Sequence, residues 1–201
     1  MSDARASGHP RSIATGLWAL SSILCAEGAL DEATAVTQEG LHLSASVQDR
    51  WAIGAALLQL GTLALAREEL AAARYLVEES ISIFRDLGEP WSRGRALVTR
   101  GWVARAEQLP AEARTWFEQA LMIGRTMSLD PLMLDCQYGL AVLMGGETPA
   151  AALALLDSII VHPATEQTTR ARAITLRAAL MAVAEHAASG SSVGGPHIEI
   201  Q

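Results

Sequence analysis

The sequence predicts an all-α chain: a right-handed α-solenoid of about four helix-turn-helix repeats, closed by a C-terminal capping helix. Three observations carry this. The stretch Arg50 to Asp130 superimposes on itself without a gap at a spacing of 40 residues, with Trp51 on Trp91, Gly54 on Gly94, Ala56 on Ala96, Gly61 on Gly101, Ala73 on Ala113 and Glu78 on Glu118. A period of this size marks stacked helical hairpins, each able to bury its apolar face only against its neighbours. Half of the 201 residues are hydrophobic, Ala and Leu dominate and β-branched residues are few, so propensity favours helix. Gly88 and Pro90, Pro110, Pro131 and Pro149 punctuate the apolar-periodic runs where helices should stop and start.

Taken in order, residues 1–11 (MSDARASGHPR) are polar and read as a disordered leader. The first repeat, about 12–49, has a helix from Ile13 to Ala26, an interruption at Gly28, and a second helix to about Ser44 that Asp31 is placed to cap. The apolar run Ile13 to Ala26, preceded by Arg5 and Arg11, also has the look of a secretory signal. The repeat register claims it instead, because a shift of 40 residues sets Leu17 under Leu57, Leu20 under Leu60 and Ala33 under Ala73.

The second repeat, 50–89, pairs a helix from Arg50 to Ala66 with one from Glu69 to Leu87; the third, 90–130, pairs Trp91 to Ala106 with Pro110 to Met127. In the fourth, 131–165, helices run from Pro131 to Met144 and Pro149 to Val161, with one residue lost in the Gly145-Gly146 turn. A last helix, 166–188, carries Arg170, Arg172 and Arg177 and is expected to cap the array with a polar outer face. Residues 189–201, rich in Gly and Ser, read as a flexible tail.

The formal charge of −7 and the lack of a basic stripe argue against direct nucleic-acid binding. All 15 basic residues are Arg, which excludes a phosphate-loop lysine and a Schiff-base lysine. Cys25 and Cys136 are too few and too far apart for a disulfide framework, and five scattered histidines offer no metal-ligand spacing. No run is long enough for a membrane span. The expectation is a cytoplasmic, non-catalytic protein without metal or cofactor.

The repeat resembles the tetratricopeptide repeat (TPR). Leu57, Leu60-Gly61, Ala64, Ala73, Val77 and Ser80 fill its large and small slots in the second repeat, and Leu97, Gly101, Ala104, Ala113, Phe117 and Ala120 fill them in the third. Arg100 stands where a Leu is usual, Ser21 at the Gly slot of the first repeat, and Ala141 at that of the fourth. An acidic residue shortly before Trp, with a helix that reaches a Gly (Asp49, Trp51, Leu60-Gly61; Glu89, Trp91, Gly101), is similar to the arrays in the C-terminal regions of bacterial signal-transduction ATPases and related transcriptional activators. That resemblance implies a docking or regulatory module with a protein or peptide partner. The chain itself contains no phosphate loop.

If the first helix of each pair lines the concave side, a 3-4-3 spacing gives four rows: Thr15, Trp18, Ser22, Cys25; Ala55, Leu58, Thr62, Leu65; Arg95, Val98, Trp102, Arg105; Asp135, Tyr138, Val142, Gly145. The candidate binding residues are Trp18, Leu58, Leu65, Arg95, Val98, Trp102, Arg105, Asp135, Tyr138 and Val142. Trp18, Trp102 and Tyr138 would anchor a peptide or an apolar small-molecule effector whose carboxylate meets Arg95 or Arg105. The competing assignment has Trp102 packing on the neighbouring repeat and the arginines pairing with Asp135 or Glu107. Trp51 and Trp91 read as wedges between repeats, and Trp116 as outer-surface or junction packing. The N-terminal end, without a polar cap, is a candidate oligomerisation surface.

Overall fold

The computed structural model describes residues 10–188, and all the regular structure among them is helical. The helices are α1 (Pro10–Ala26), α2 (Leu30–Ser46), α3 (Arg50–Ala66), α4 (Leu70–Leu87), α5 (Pro90–Ala106), α6 (Pro110–Met127), α7 (Asp130–Met144), α8 (Pro149–Val161) and α9 (Gln167–Ala188). Each packs on the next along the chain, and the odd-numbered helices also touch one another in series, α1 on α3, α3 on α5, α5 on α7 and α7 on α9. Among the described residues this is a solenoid of four helix pairs with a ninth helix added. Pro10 and Arg11, from the expected leader, already belong to α1; the rest of that leader and the expected tail lie outside the described residues.

The turns obey the period more strictly than the side chains do. Left-handed backbone recurs at Gly28, Gln48, Glu68, Gly88, Gln108 and Ser128, with φ between 53° and 78°. Only two of these positions hold glycine, the residue that adopts such a φ without a steric penalty. At Gly88 the reversed backbone lets the chain close α4, with its N–H donating to the Arg85 and Phe84 carbonyls. Asp49 caps α3, its side chain accepting from the Ala52 N–H at 3.1 Å. The acidic residue before Trp51 is therefore a helix-start signal in that repeat. Asp31 does not cap α2, as the sequence had implied: the N-cap position is Ala29, and Asp31 sits in the first turn, where it pairs with Arg67 across the pair junction.

Small residues set the distance between helices. A Cβ at Gly61 would meet Val77 Cγ2 at 2.6 Å, one at Gly101 would meet Phe117 at 2.6 Å, and one at Gly94 would meet Leu132 at 2.4 Å. The first pair solves the same slot with polar groups, since Ser21 stands in place of the glycine and Thr37 in place of the valine. Both are fully enclosed, with Thr37 Oγ1 donating to the Ala33 carbonyl at 2.7 Å and 2.6 Å from Ser21 Oγ. The run that resembled a signal sequence is thus α1, with Leu17 and Ser21 buried against α2.

Arg100, the departure from the leucine slot, is buried and gathers carboxylates. It donates to Glu78 at 2.9 Å and Glu107 at 3.4 Å, lies 4.0 Å from Glu112, and sits 5.3 Å from the Trp116 ring centre. Glu107 also meets Arg74 at 3.5 Å. Trp116, half-buried against the cluster around Leu97 and Leu121, is junction packing as expected.

The terminal helix differs from its expectation. Arg170 turns inward and donates to the Ile160 and His162 carbonyls at the end of α8, at 3.1 and 3.0 Å, and Arg177 pairs with Asp157 of α8. With two arginines holding α8, the outward side includes Ile174, 51% exposed, and Met181. So α9 packs as the first helix of a further pair would, and its outer face is not uniformly polar. No described helix is long and apolar enough to cross a membrane.

Candidate functional site

The five odd-numbered helices line one concave cleft of about 1170 Å³. All ten residues proposed from the 3-4-3 rows lie on it: Trp18 from α1, Leu58 and Leu65 from α3, Arg95, Val98, Trp102 and Arg105 from α5, and Asp135, Tyr138 and Val142 from α7. The two middle rows are complete, with Ala55 and Thr62 joining. The outer rows are not. Of the first row Trp18 lines the cleft, and in the fourth Gly145 packs toward Leu180 of α9 instead.

Trp102 packs between repeats and also lines the cleft. Its ring stands edge-on to Phe117 at 5.1 Å and tilted to Tyr138 at 5.8 Å, so it packs across two repeats, while its remaining surface faces the cleft. Arg105 lies over the same ring at 5.9 Å. Trp51 and Trp91 also line the cleft and remain 44% and 39% exposed. The wedge reading holds for Trp51 in part, because its indole N–H donates to Ser92 of α5 at 3.2 Å and its ring lies 6.5 Å from Phe84. The row spacing contained these two residues, for each is one further step of four before Ala55 or Arg95.

The cap completes the far end. Glu166, Thr168, Thr169 and Arg172 line the cleft, and Thr169 Oγ1 donates to Asp135 Oδ1, tying α9 to α7. Sequence reasoning missed them because, among the described residues, α9 has no partner helix against which to set its register. The result is a graded surface. Trp18, Trp51, Leu58 and Trp91 make the N-terminal half apolar and aromatic, while Arg95, Arg105 and Arg172 converge around Asp135 and Tyr138.

Burial pushes the Asp135 carboxyl up from its ordinary value, an effect that nearby Glu166 adds to and that the Thr169 hydroxyl, Arg172 and Arg95 oppose. Burial likewise raises the Tyr138 phenol, against the pull of Arg172 and Arg105. The neighbouring Cys136 thiol, enclosed in the core, is pushed up to about 12 by burial and by Asp135, and takes no part in the cleft. A raised carboxyl pKa means that the folded state disfavours the charged form, so stability from this site falls as pH rises through the ordinary Asp range toward the raised value. Asp135→Asn, which retains an oxygen to accept from Thr169, is expected to relieve that loss. In thermal melts its advantage over the wild type should grow from pH 4 to pH 7; an advantage that shrinks over that range would contradict the assignment.

Among the described residues no three His, Cys, Asp or Glu side chains come together to hold a metal ion. No family model matches the sequence, and no curated protein matches it. Solved structures do match in fold. The chain is similar to BtubC (BKLC) from P. vanneervenii, with a TM-score of 0.68 at 14% identity over 100% of this chain and 92% of that one. It is also similar to a putative kinesin light chain of Podosopora anserina with nearly identical TPR-like repeats, with a TM-score of 0.62 at 20% identity over 92% and 99% of the two chains. A variant of that protein gives 0.62 at 19% identity over 90% and 95%. At such identities the likeness is one of fold: a TPR-like helical-repeat solenoid.

Proposed function

We propose that the chain is a non-catalytic interaction module that docks an acidic peptide segment of a partner protein in its concave cleft. The observation that carries this is the convergence of Arg95, Arg105 and Arg172 at one end of a cleft whose other end is lined by exposed indoles. Guanidinium groups bind carboxylates through paired, charge-assisted hydrogen bonds, and indoles supply large rigid contact area. A peptide suits the cleft better than a small effector, because about 1170 Å³ exceeds the roughly 300–1,000 Å³ of ordinary small-molecule pockets. The setting we infer is a bacterial signalling or transcription-regulatory assembly in the cytoplasm. Its support is the resemblance of the Asp49-Trp51 and Glu89-Trp91 repeat pattern to the arrays of bacterial signal-transduction ATPases and transcriptional activators.

Selection of a random peptide display library on the full chain tests this reading. Recovered peptides should carry Asp or Glu, and the double variant Arg95→Glu, Arg172→Glu should weaken their binding at least tenfold; both side chains are exposed, and because both arginines offset the burial of Asp135 the melting temperature should fall by a few degrees without loss of the fold. Trp102 is a poorer probe, because it also packs on Phe117 and Tyr138. Peptides without acidic residues, or equal binding to the charge-reversed variant, would sink the proposal.

A further inference from the structure

A second, smaller cavity opens beside the apolar half of the cleft. It has a volume of about 70 Å³ and lies where α1, α2 and α3 meet, with Trp18, Trp51 and Ala55 lining both it and the main cleft. Its floor is made of small residues, among them Gly40, Ala52 and Ala56. The two hydroxyls in its wall are already satisfied within α2, Thr37 donating to the Ala33 carbonyl at 2.7 Å and Ser44 to the Gly40 carbonyl at 2.8 Å. What faces the space is therefore almost wholly carbon. Trp51 is held in place by its bond to Ser92, so the entrance is framed and not merely collapsed open.

Size decides what fits. An enclosed apolar cavity of about 150 Å³ holds the six carbons of benzene, so a recess of about 70 Å³ that opens on the cleft suits the three terminal carbons of a branched side chain better than a ring. We infer that this cavity is an anchor pocket for a branched aliphatic side chain, valine, leucine or isoleucine, of the acidic peptide that occupies the cleft. The inference rests on the cleft reading above and narrows it. Successive cleft helices lie roughly 8–10 Å apart, and the pocket lies between α1 and α3, about one and a half such spacings, roughly 12–15 Å, from the α5 helix that carries Arg95. An extended chain advances about 3.3–3.6 Å per residue, so the aliphatic residue and the carboxylate that meets Arg95 are separated by about four residues. Leucine or valine over alanine at the anchor should strengthen binding about tenfold to fiftyfold, from the carbons removed from water.

The test uses the full chain and blocked peptides of the form X-Ala-Ala-Ala-Glu, with X as Leu, Val, Ala or Phe, titrated by calorimetry. Leu and Val should bind most tightly and Phe no better than Ala. Ala52→Leu, which fills the pocket, should abolish the advantage of Leu over Ala while leaving the dependence on Glu intact; Ala55→Met serves if that variant does not fold. Phe binding as tightly as Leu, or an undiminished Leu advantage in the filled variant, would overturn the inference. If no peptide binds, the cleft reading fails, and the pocket is judged separately by nuclear magnetic resonance with isobutanol and benzyl alcohol. Isobutanol alone should shift the Trp18 and Trp51 indole N–H signals, and only with Ala52 in place. Equal shifts from both alcohols, or from neither, overturn the pocket as well.

Discussion

Phe117→Ala is expected to destabilise the protein by about 3–5 kcal/mol, the range for emptying a large aromatic from a closed core. Phe117 is fully buried and is shared by two repeats: Gly101 of α5 and Gly139 of α7 are small enough to lie against its ring, and Trp102 stands edge-on to it. The space it leaves cannot close without moving α5 toward α7. In a solenoid each pair is stabilised mainly through its neighbours, so the damage should spread along the array in one direction. Hydrogen exchange in the variant should accelerate in α7, α8 and α9 well before α2 and α3, and the melting temperature should fall by about 10 °C. A uniform acceleration over the whole chain would show that the repeats unfold as one unit instead.

Arg100→Leu restores the residue usual at this slot and is nevertheless expected to cost about 3 kcal/mol, the lower part of the range for removing one partner of a buried ion pair. The lower part applies because Glu78 and Glu112 are half exposed and can return to water, and because buried Glu107 keeps Arg74. What is lost is the link between α4, α5 and α6, together with the cation's contact with Trp116. Adding Glu107→Gln to this variant should recover part of the loss in urea denaturation, since half-exposed Arg74 alone only partly offsets the charge of the largely buried Glu107. Full additivity of the two changes would contradict a shared network.

The architecture was readable because each of its physical requirements leaves a residue at a fixed spacing. Close helix approach calls for Gly61 and Gly101, and a facing large residue for Val77 and Phe117, so the period is written twice in each pair. The cleft was readable for the same reason in the two middle repeats, whose rows are complete. It was less readable at the ends. The register weakens at α1, where Ser21 and Thr37 replace the glycine and valine of the next repeat, and among the described residues no second helix pairs with α9 to set its register, so Thr169 and Arg172 were missed. Asp31 shows another limit: a carboxylate near a helix start is equally at home as a cap or in the first turn, and the turn at Gly28 decides for the latter. The arginines of α9 looked solvent-facing because charge in sequence carries no direction. Arg170 turns to the open carbonyls at the end of α8, where a donor is needed.

Two surfaces compete as the working face of this solenoid. The cleft offers indoles and guanidinium groups, while the opposite helices expose Tyr75 of α4 and Met122 of α6 at 65% and 63%. The measurement that separates them is a backbone and indole chemical-shift map of the full chain with a selected acidic peptide bound. Shifts concentrated at Trp51, Arg95, Trp102 and Tyr138, with Tyr75 and Met122 unmoved, are the predicted result; shifts confined to α4 and α6 around Tyr75 and Met122 would contradict it.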